Sequence, residues 1–401
     1  MQCNCNEIKN TSLFADLNEV PCQYPWLSYN ETCEVVVIGG GITGAFCLYD
    51  LNKCGIDAIL VSQKPIGYSS SCVSSSALQY QNEIMLTELS KSVGKDQALY
   101  YFRQCNDALN EIEQLSIDLN NFDFARRDGF LYTDSADKID KLHTEYLMRR
   151  HNGFDVEFLE KADARDYFSF DIQAGILAKN LAGEVDGYKL CHALVEKAED
   201  LGARIYENTT IVSIENEDNE VVLTTSYGKT IHAKKVVMAI GYRQESYLSK
   251  EIFKKTSFSL ATQPVSHFSG YQSRAILKNM DKNIHIRTTA DNRIIISGLD
   301  CSLMNKQGRI GKVIGIDKLV ERKYRELELL LDDMFVAIDD LQIAYRYDGQ
   351  YPQSEDLLPF IGEYEDYPNI LFAVPTSQNG ILYAKIISKM IAESLCDAEE
   401  K

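Results

Sequence analysis

The sequence predicts an α/β fold with an added α+β part, arranged as two domains. Three observations carry that expectation. A β-branched run, Val35-Val36-Val37-Ile38, ends in Gly39-Gly40-Gly41 and is followed by a helical period and a second apolar run. The chain has 401 residues, beyond the usual size of one domain. The stretch from about 257 to 300 is strand-rich and broken by turn residues, which calls for a second sheet.

Residues 1–33, punctuated by Pro21 and Pro25, read as an irregular arm. Regular structure is expected from Glu34, with Val35–Ile38 as a buried parallel strand. Ile42, Ala45, Phe46, Leu48, Tyr49 and Leu51 then keep a helical period to Cys54, with Gly55 as C-cap. Ala58-Ile59-Leu60-Val61 closes a βαβ unit. A Ser-rich loop, Tyr68 to Ser76, precedes a long amphipathic helix over roughly 85–118. Gly129–Tyr132 reads as a strand, and 136–150 and 187–201 as helices. Ile211–Ile214, Val221–Thr225 and Lys235–Gly241 read as strands. Turns are expected at Asp281-Lys282-Asn283 and at Asp291-Asn292. Residues 316–332 and Gly380–Cys396 close the pattern as helices.

Composition excludes several function classes. Lys and Arg total 41 against 59 Asp and Glu, a net charge of −18. A nucleic-acid binder needs the opposite surplus, so no nucleic-acid partner is expected. No apolar run reaches a membrane-spanning length, and the N-terminus carries no apolar signal region, so no integral membrane segment is expected. Eleven cysteines spread over a chain this long fit a reducing cytoplasm better than a disulfide framework. Cys3 and Cys5 read as free thiols rather than a zinc pair, and no metal is expected.

The strongest chemical signal is Gly39-x-Gly41-x-x-Gly44 between a strand and a helix. Gly39 permits the tight turn, Gly41 lets a pyrophosphate approach the backbone, and Gly44 lets the helix pack on the strand. Ile42 and Thr43 open the helix whose free N–H groups face that phosphate. A glycine turn without a ligand is the competing reading; the flanking strands and amphipathic helix favour the nucleotide. The second strand should end in Asp or Glu for a ribose hydroxyl, but Ser62 stands there, followed by Gln63 and Lys64. A neutral bond in place of a charge-assisted one costs about 1 kcal/mol, under tenfold in affinity. Lys64 also admits a 2′-phosphate, as in NADP.

Beyond that motif, the chain resembles the D-amino-acid oxidase and glycine oxidase (DAO-like) family of FAD-dependent oxidoreductases. The resemblance runs from about Glu34 to Leu395 and rests on blocks in a fixed order. These are Val35 to Gly44, the Ile66-Gly67-x-Ser69-Ser70-Ser71 loop, Glu184 to Leu190, and Ala239-Ile240-Gly241. Asp356 to Gly362 and Asn379-Gly380-Ile381 complete the set, and Ile286-Arg287-Thr288-Thr289 with Asn292-Arg293 is similar to a bacterial branch. The resemblance implies a Rossmann-like FAD-binding domain from 34–91, 154–244 and 341–398. It also implies an antiparallel-sheet substrate domain from 92–153 and 245–340. FAD is the implied cofactor. Gly39 to Gly44 would hold the pyrophosphate, with Ser69, Ser70 and Ser71 beside it and Ser62 and Gln63 near the ribose. Val212, Ala239 and Gly241 would lie along the nucleotide, and Asn379, Gly380 and Ile381 at the flavin pyrimidine end, where a helix N-terminus suits developing negative charge.

Two departures bear on chemistry. The C-terminal loop reads Ala373-Val374-Pro375-Thr376-Ser377-Gln378, poorer in glycine than in relatives; Pro375 removes a donor and Ser377 and Gln378 limit positive φ. Where the family's amino-acid oxidases place an arginine for the substrate carboxylate, this chain has Tyr351. Arg287 is the candidate replacement, its other reading being a structural arginine paired with a carboxylate. Arg346 and Tyr347 are weaker candidates, only one of which can point inward. His285 and His267 read as packed or surface histidines, and Cys72 as a small buried side chain. The expected function is oxidation of the C–N bond of a small amine, amino acid or imino acid, with hydride passing to flavin N5. The rival readings are an NADP-linked reductase using Lys64 and a non-catalytic flavin-binding protein.

Overall fold

The computed structural model describes residues 8–81, 83–119, 122–217, 220–248, 252–302 and 316–399. Two sheets organise them. The first has eight strands; its path runs Phe360–Tyr364, Tyr367–Val374, Thr230–Met238, Glu31–Ile38, Ala58–Val61, Arg204–Tyr206. Its centre is parallel, with Val37 opposite Val237 on one side and Leu60 on the other. A hairpin of Ile211–Asn216 and Val221–Thr225 adds to Thr230–Met238. The apolar stripes of Ile42–Lys53, Gly187–Asp200, Gly380–Glu399 and Lys95–Asp118 bury Phe46, Leu194, Ile387 and Leu109 against one face. Leu27, Leu223 and Leu248 cover the other.

The second sheet has nine strands, in the path Ile343–Ser354, Ile252–Thr262, Ile294–Cys301, Ile284–Thr288, Ile276–Asn279, Ala125–Thr133, Ala174–Glu184, Ala77–Gln79. Val156–Glu160 pairs with Ala174–Glu184. The sheet is antiparallel except that Ile276–Asn279 runs parallel to Ala125–Thr133. Both expected turns are present, with Asn283 at φ +51° and Asn292 at φ +63°.

The structure departs from the sequence reading at several places. The first strand begins at Glu31, because Glu31 and Thr32 already pair with Ile231 and His232. The described part of the arm is packed: Ser12 caps a short helix, Leu13–Leu17, and Leu13, Phe14, Tyr24 and Leu27 are buried. The long helix is two, Leu86–Val93 and Lys95–Asp118, because Gly94 turns at φ +87°. Ala174–Glu184, Val156–Glu160 and Ile343–Ser354, assigned by sequence to the nucleotide layer, hydrogen-bond into the second sheet instead. Lys95–Asp118, assigned to the other part, packs on the first sheet's helices. Among the described residues no helix is long and apolar enough to cross a membrane, and no group of three His, Cys, Asp or Glu side chains is placed to hold a metal. Cys3 and Cys5 lie outside the described residues.

Candidate functional site

The glycine turn is built from backbone geometry. Gly39 adopts φ +121° and donates its N–H to the Val61 carbonyl at 2.9 Å, tying the turn to the neighbouring strand. Gly44 lies beneath it; a Cβ there would enter the envelope of the Gly39 carbonyl oxygen, so the helix can approach only without a side chain. Gly41 is the N-cap and has no side chain to cap the helix. A Cβ on Gly41 would stand 3.1 Å from Ser69 Oγ and 3.3 Å from Ser71 Oγ, filling the notch between turn and serine loop. The Ile42 N–H donates to Ser71 Oγ at 2.9 Å, and Ser69 to Val73 forms one turn of 3-10 helix and its cap.

A cavity of about 990 Å³ extends from this turn between the two sheets. At one end it passes Ser62, Gln63, Val212, Arg243 and Tyr367. Arg243 donates to Gln63 Oε1, and the Ser62 hydroxyl donates to the Lys64 carbonyl at 2.6 Å. In the middle it is bounded by Ser69, Ser70, Ser71, Ala239 and Gly241. At the far end it meets Gly380 and Ile381 on one side and the second sheet on the other. There Ser257, Ser259, Ser297 and Tyr351 form a polar floor.

Most residues singled out by sequence therefore line one space; Gly44, Asn379, Arg287, Arg346, Tyr347, His267 and His285 do not. Gly44 supports the turn from below. Asn379 faces away, its amide donating to the Gln79 carbonyl at 3.0 Å, so it ties the C-terminal loop to the strand behind. Arg287 also stands off the cavity: its Nε donates to the Ser75 carbonyl and its Nη1 to Thr288 at 3.0 Å. It pairs with carbonyls rather than a carboxylate, and its Nη2 has no hydrogen-bond partner among the described residues. Strand alternation turns Tyr347 inward, while Arg346 reaches Glu321 at 3.2 Å. The loop expected to resist positive φ adopts it at Ser377, at φ +69°, beside Pro375. Cys72 donates to the Ser69 carbonyl at 3.1 Å, and burial pushes its thiol up, away from a reactive thiolate.

Sequence reasoning missed Asp300. Its Oδ2 accepts from Tyr351 Oη at 2.7 Å and from the Gln378 side chain. Burial raises its carboxyl above the usual range, opposed by those bonds. Glu83 accepts the Gln378 backbone N–H at 2.8 Å and is likewise raised by burial. Lys278 lies in the same polar row of the sheet as His285 and Ser297, and burial lowers its ammonium to about 8. Nothing in the sequence signalled this face: Ile294–Cys301 is buried almost throughout without alternation, and no motif marks an acid at a strand end. Chemically, the cavity joins a notch one methyl would fill to a floor of hydroxyls.

Residues 34–394 match the family model described as DAO, FAD dependent oxidoreductase. A glycine oxidase of Bacillus licheniformis is 24% identical over 368 residues, covering 90% of this chain and 92% of that one. A gamma-glutamylputrescine oxidoreductase of Escherichia coli is 25% identical over 92% of this chain and 86% of its own. Among solved structures, glycine oxidase from Geobacillus kaustophilus superposes with a TM-score of 0.74 at 20% identity, covering 92% and 95% of the two chains.

Proposed function

Because the chain belongs to the DAO family of FAD-dependent oxidoreductases, we propose that it oxidises the C–N bond of a small amine, amino acid or imino acid. The observation that carries this reading is the single cavity leading from the Gly39–Thr43 turn to the serine floor of the second sheet. The turn fits the cofactor: the notch at Gly41 is one a single methyl would fill, and it opens on a helix N-terminus. Gly39, Gly41, Ile42 and Thr43 would hold the pyrophosphate, with Ser69–Ser71 closing over it. Ser62 and Gln63 would meet the ribose, Val212 the adenine, and Gly380 and Ile381 the pyrimidine edge. FAD, when bound, supplies the two-electron acceptor for the substrate's C–H bond.

The protein's own work is positioning. Ser257, Ser259 and Ser297 offer hydroxyls that turn a substrate toward the cofactor, and the sheet behind them excludes water. Tyr351, held by Asp300, presents a phenol in place of a guanidinium at the substrate end. With its nitrogen neutral, an amine can give up the hydride of the adjacent carbon as the nitrogen lone pair forms the C=N bond, with no strong base nearby, which suits a floor of hydroxyls.

The test is the visible spectrum of the purified protein, before and after added FAD. Flavin bands that survive desalting, and that bleach when an amine is added without oxygen, support the reading. A protein that takes up no FAD, or that binds NADPH in its place through Lys64, overturns it.

A further inference from the structure

Asp300 meets the cavity wall because its strand is broken. In Ile294–Cys301, Ser297 stands opposite Ser259 and Gly298 opposite Phe258, but Cys301 stands opposite Thr256. The strand therefore carries one residue more than its neighbour, a β-bulge. Within it Leu299 adopts φ +54°, which a bulky side chain seldom takes. Gly298, at φ +142°, has no room for a Cβ, which would strike the Asn283 carbonyl. Plain alternation would put Leu299 on the face of Ser297 and Asp300 on the other. The bulge reverses them. Leu299 packs into the core behind the sheet, and Asp300 turns toward Ser257, Tyr351 and Gln378, all three of which line the cavity. Strained backbone of this kind persists where the structure around it imposes the conformation, and it gathers at working sites.

An ionised carboxylate can only accept hydrogen bonds. Asp300 Oδ2 takes the Tyr351 hydroxyl at 2.7 Å, the Asn283 amide at 3.4 Å and the Gln378 amide. The Gln378 amide also reaches Tyr351, and Glu83 takes the Gln378 backbone N–H at 2.8 Å. The donors of both lining residues are thus spent behind the wall. What remains to Gln378 is Oε1, buried with no partner among the described residues. What remains to Tyr351 is a lone pair. A buried acceptor left unmet costs free energy until a donor arrives. Among the described residues lining the cavity, the cations are Lys64 and Arg243, at the end of Ser62 and Gln63. Lys255 and Lys278, near the cluster but off the wall, are matched by Asp300 and Glu83.

We propose that Asp300 is a positioning residue that fixes the substrate end of the cavity as a hydrogen-bond acceptor, through Gln378 and Tyr351. The end then selects substrates that present N–H groups to it. This rests on the oxidoreductase reading and narrows its substrates to amines with no carboxylate beside the nitrogen. A carboxylate brings acceptors only and would stand acceptor against acceptor at Gln378 Oε1 and the Tyr351 oxygen.

The experiment uses FAD-loaded protein and two probes of one shape, each titrated by calorimetry. One is tert-butylamine, which has no hydrogen on the carbon bearing nitrogen and so is not oxidised. The other is pivalate, its carboxylate counterpart. The parent should bind the amine at least tenfold tighter than pivalate. Asn at position 300 brings a donor of its own, which turns the Tyr351 proton and the Gln378 amide toward the cavity. Asp300→Asn should therefore weaken the amine about tenfold and tighten pivalate about tenfold. In a Gln378→Met, Tyr351→Phe background the same change should shift neither ligand. A parent that does not prefer the amine overturns the proposal, and this measurement decides it even if Asp300→Asn does not fold. An Asp300→Asn protein that weakens both probes alike or neither also overturns it, as does an undiminished shift in the double-variant background, which would mean a charge acting at a distance. Each of these leaves the oxidoreductase reading intact. Failure to take up FAD defeats that reading instead, and the same titrations on the FAD-free protein then decide the polarity of the end.

Discussion

Gly41 and Gly44 are both glycines of one turn, yet the structure gives them separable tasks. At Gly41 an added methyl would meet only two hydroxyl tips, Ser69 Oγ at 3.1 Å and Ser71 Oγ at 3.3 Å. Both can shift by a few tenths of an ångström, so Gly41→Ala should leave the melting temperature nearly unchanged. The methyl nonetheless occupies the notch a phosphate oxygen would enter. Displacing that phosphate loses one charge-assisted hydrogen bond or two, each worth roughly 1.5–3 kcal/mol, so FAD affinity should fall by about ten- to a hundredfold or more. At Gly44 the methyl meets the Gly39 carbonyl, which is backbone and cannot turn aside. The helix must move, at a cost of about 1–3 kcal/mol in stability, and the cavity deforms with it. The assay pairs thermal unfolding of the FAD-free protein with a titration of flavin fluorescence. A Gly41→Ala protein that binds FAD like the parent, or melts as early as Gly44→Ala, would refute the placement of the pyrophosphate.

Other outcomes follow from single contacts. Ser62→Ala should change FAD affinity by less than about threefold, because its proton already goes to the Lys64 carbonyl; the same titration checks this. Tyr351→Phe removes a donor from Asp300 and a phenol from the cavity floor, so KM for an amine substrate should rise about tenfold while FAD binding holds. His192 is buried, and desolvation holds its imidazole down to about 4. The unfolded chain binds a proton near pH 6.5 that the folded chain refuses, so stability should fall as pH drops from about 6.5 to 4, by roughly 3 kcal/mol in all. Melts of His192→Leu across that window should show a shallower decline than the parent.

What was legible in the sequence was local. Val35 to Val61 carries its strand, turn, helix and strand in one unbroken stretch, each set by its own residues. The two Asn turns were equally plain, since Asn tolerates the conformation they adopt. Ala174–Glu184 was not legible: both ends are buried and its middle is exposed, so neither period two nor a continuous apolar run marks it. Ile343–Ser354 carries Pro352 and alternating tyrosines, which hide a strand that only its pairing with Ile252–Thr262 reveals. Tyr351, singled out where relatives carry an arginine, lies on the cavity wall, but its partner Asp300 comes from another strand and no spacing links the two. Arg287 was singled out for its charge; its position behind Phe14 depends on an N-terminal segment that reads as irregular.

The first sheet has a consequence for how the chain is made. Its opening strand, Glu31–Ile38, lies between Ala58–Val61, which follows at once, and Thr230–Met238, which follows some two hundred residues later. At a ribosomal pace of about 5–20 residues per second, that apolar strand edge waits roughly 10–40 seconds for its second neighbour. Tyr367–Val374 arrives later still. The nucleotide layer thus cannot be completed until synthesis is nearly over, and most of its assembly is long-range and slow. The unpaired edge of Val35–Ile38 is the surface most in need of a chaperone during that interval. Splitting the gene between the sheets' coding segments would not yield two independently folding halves.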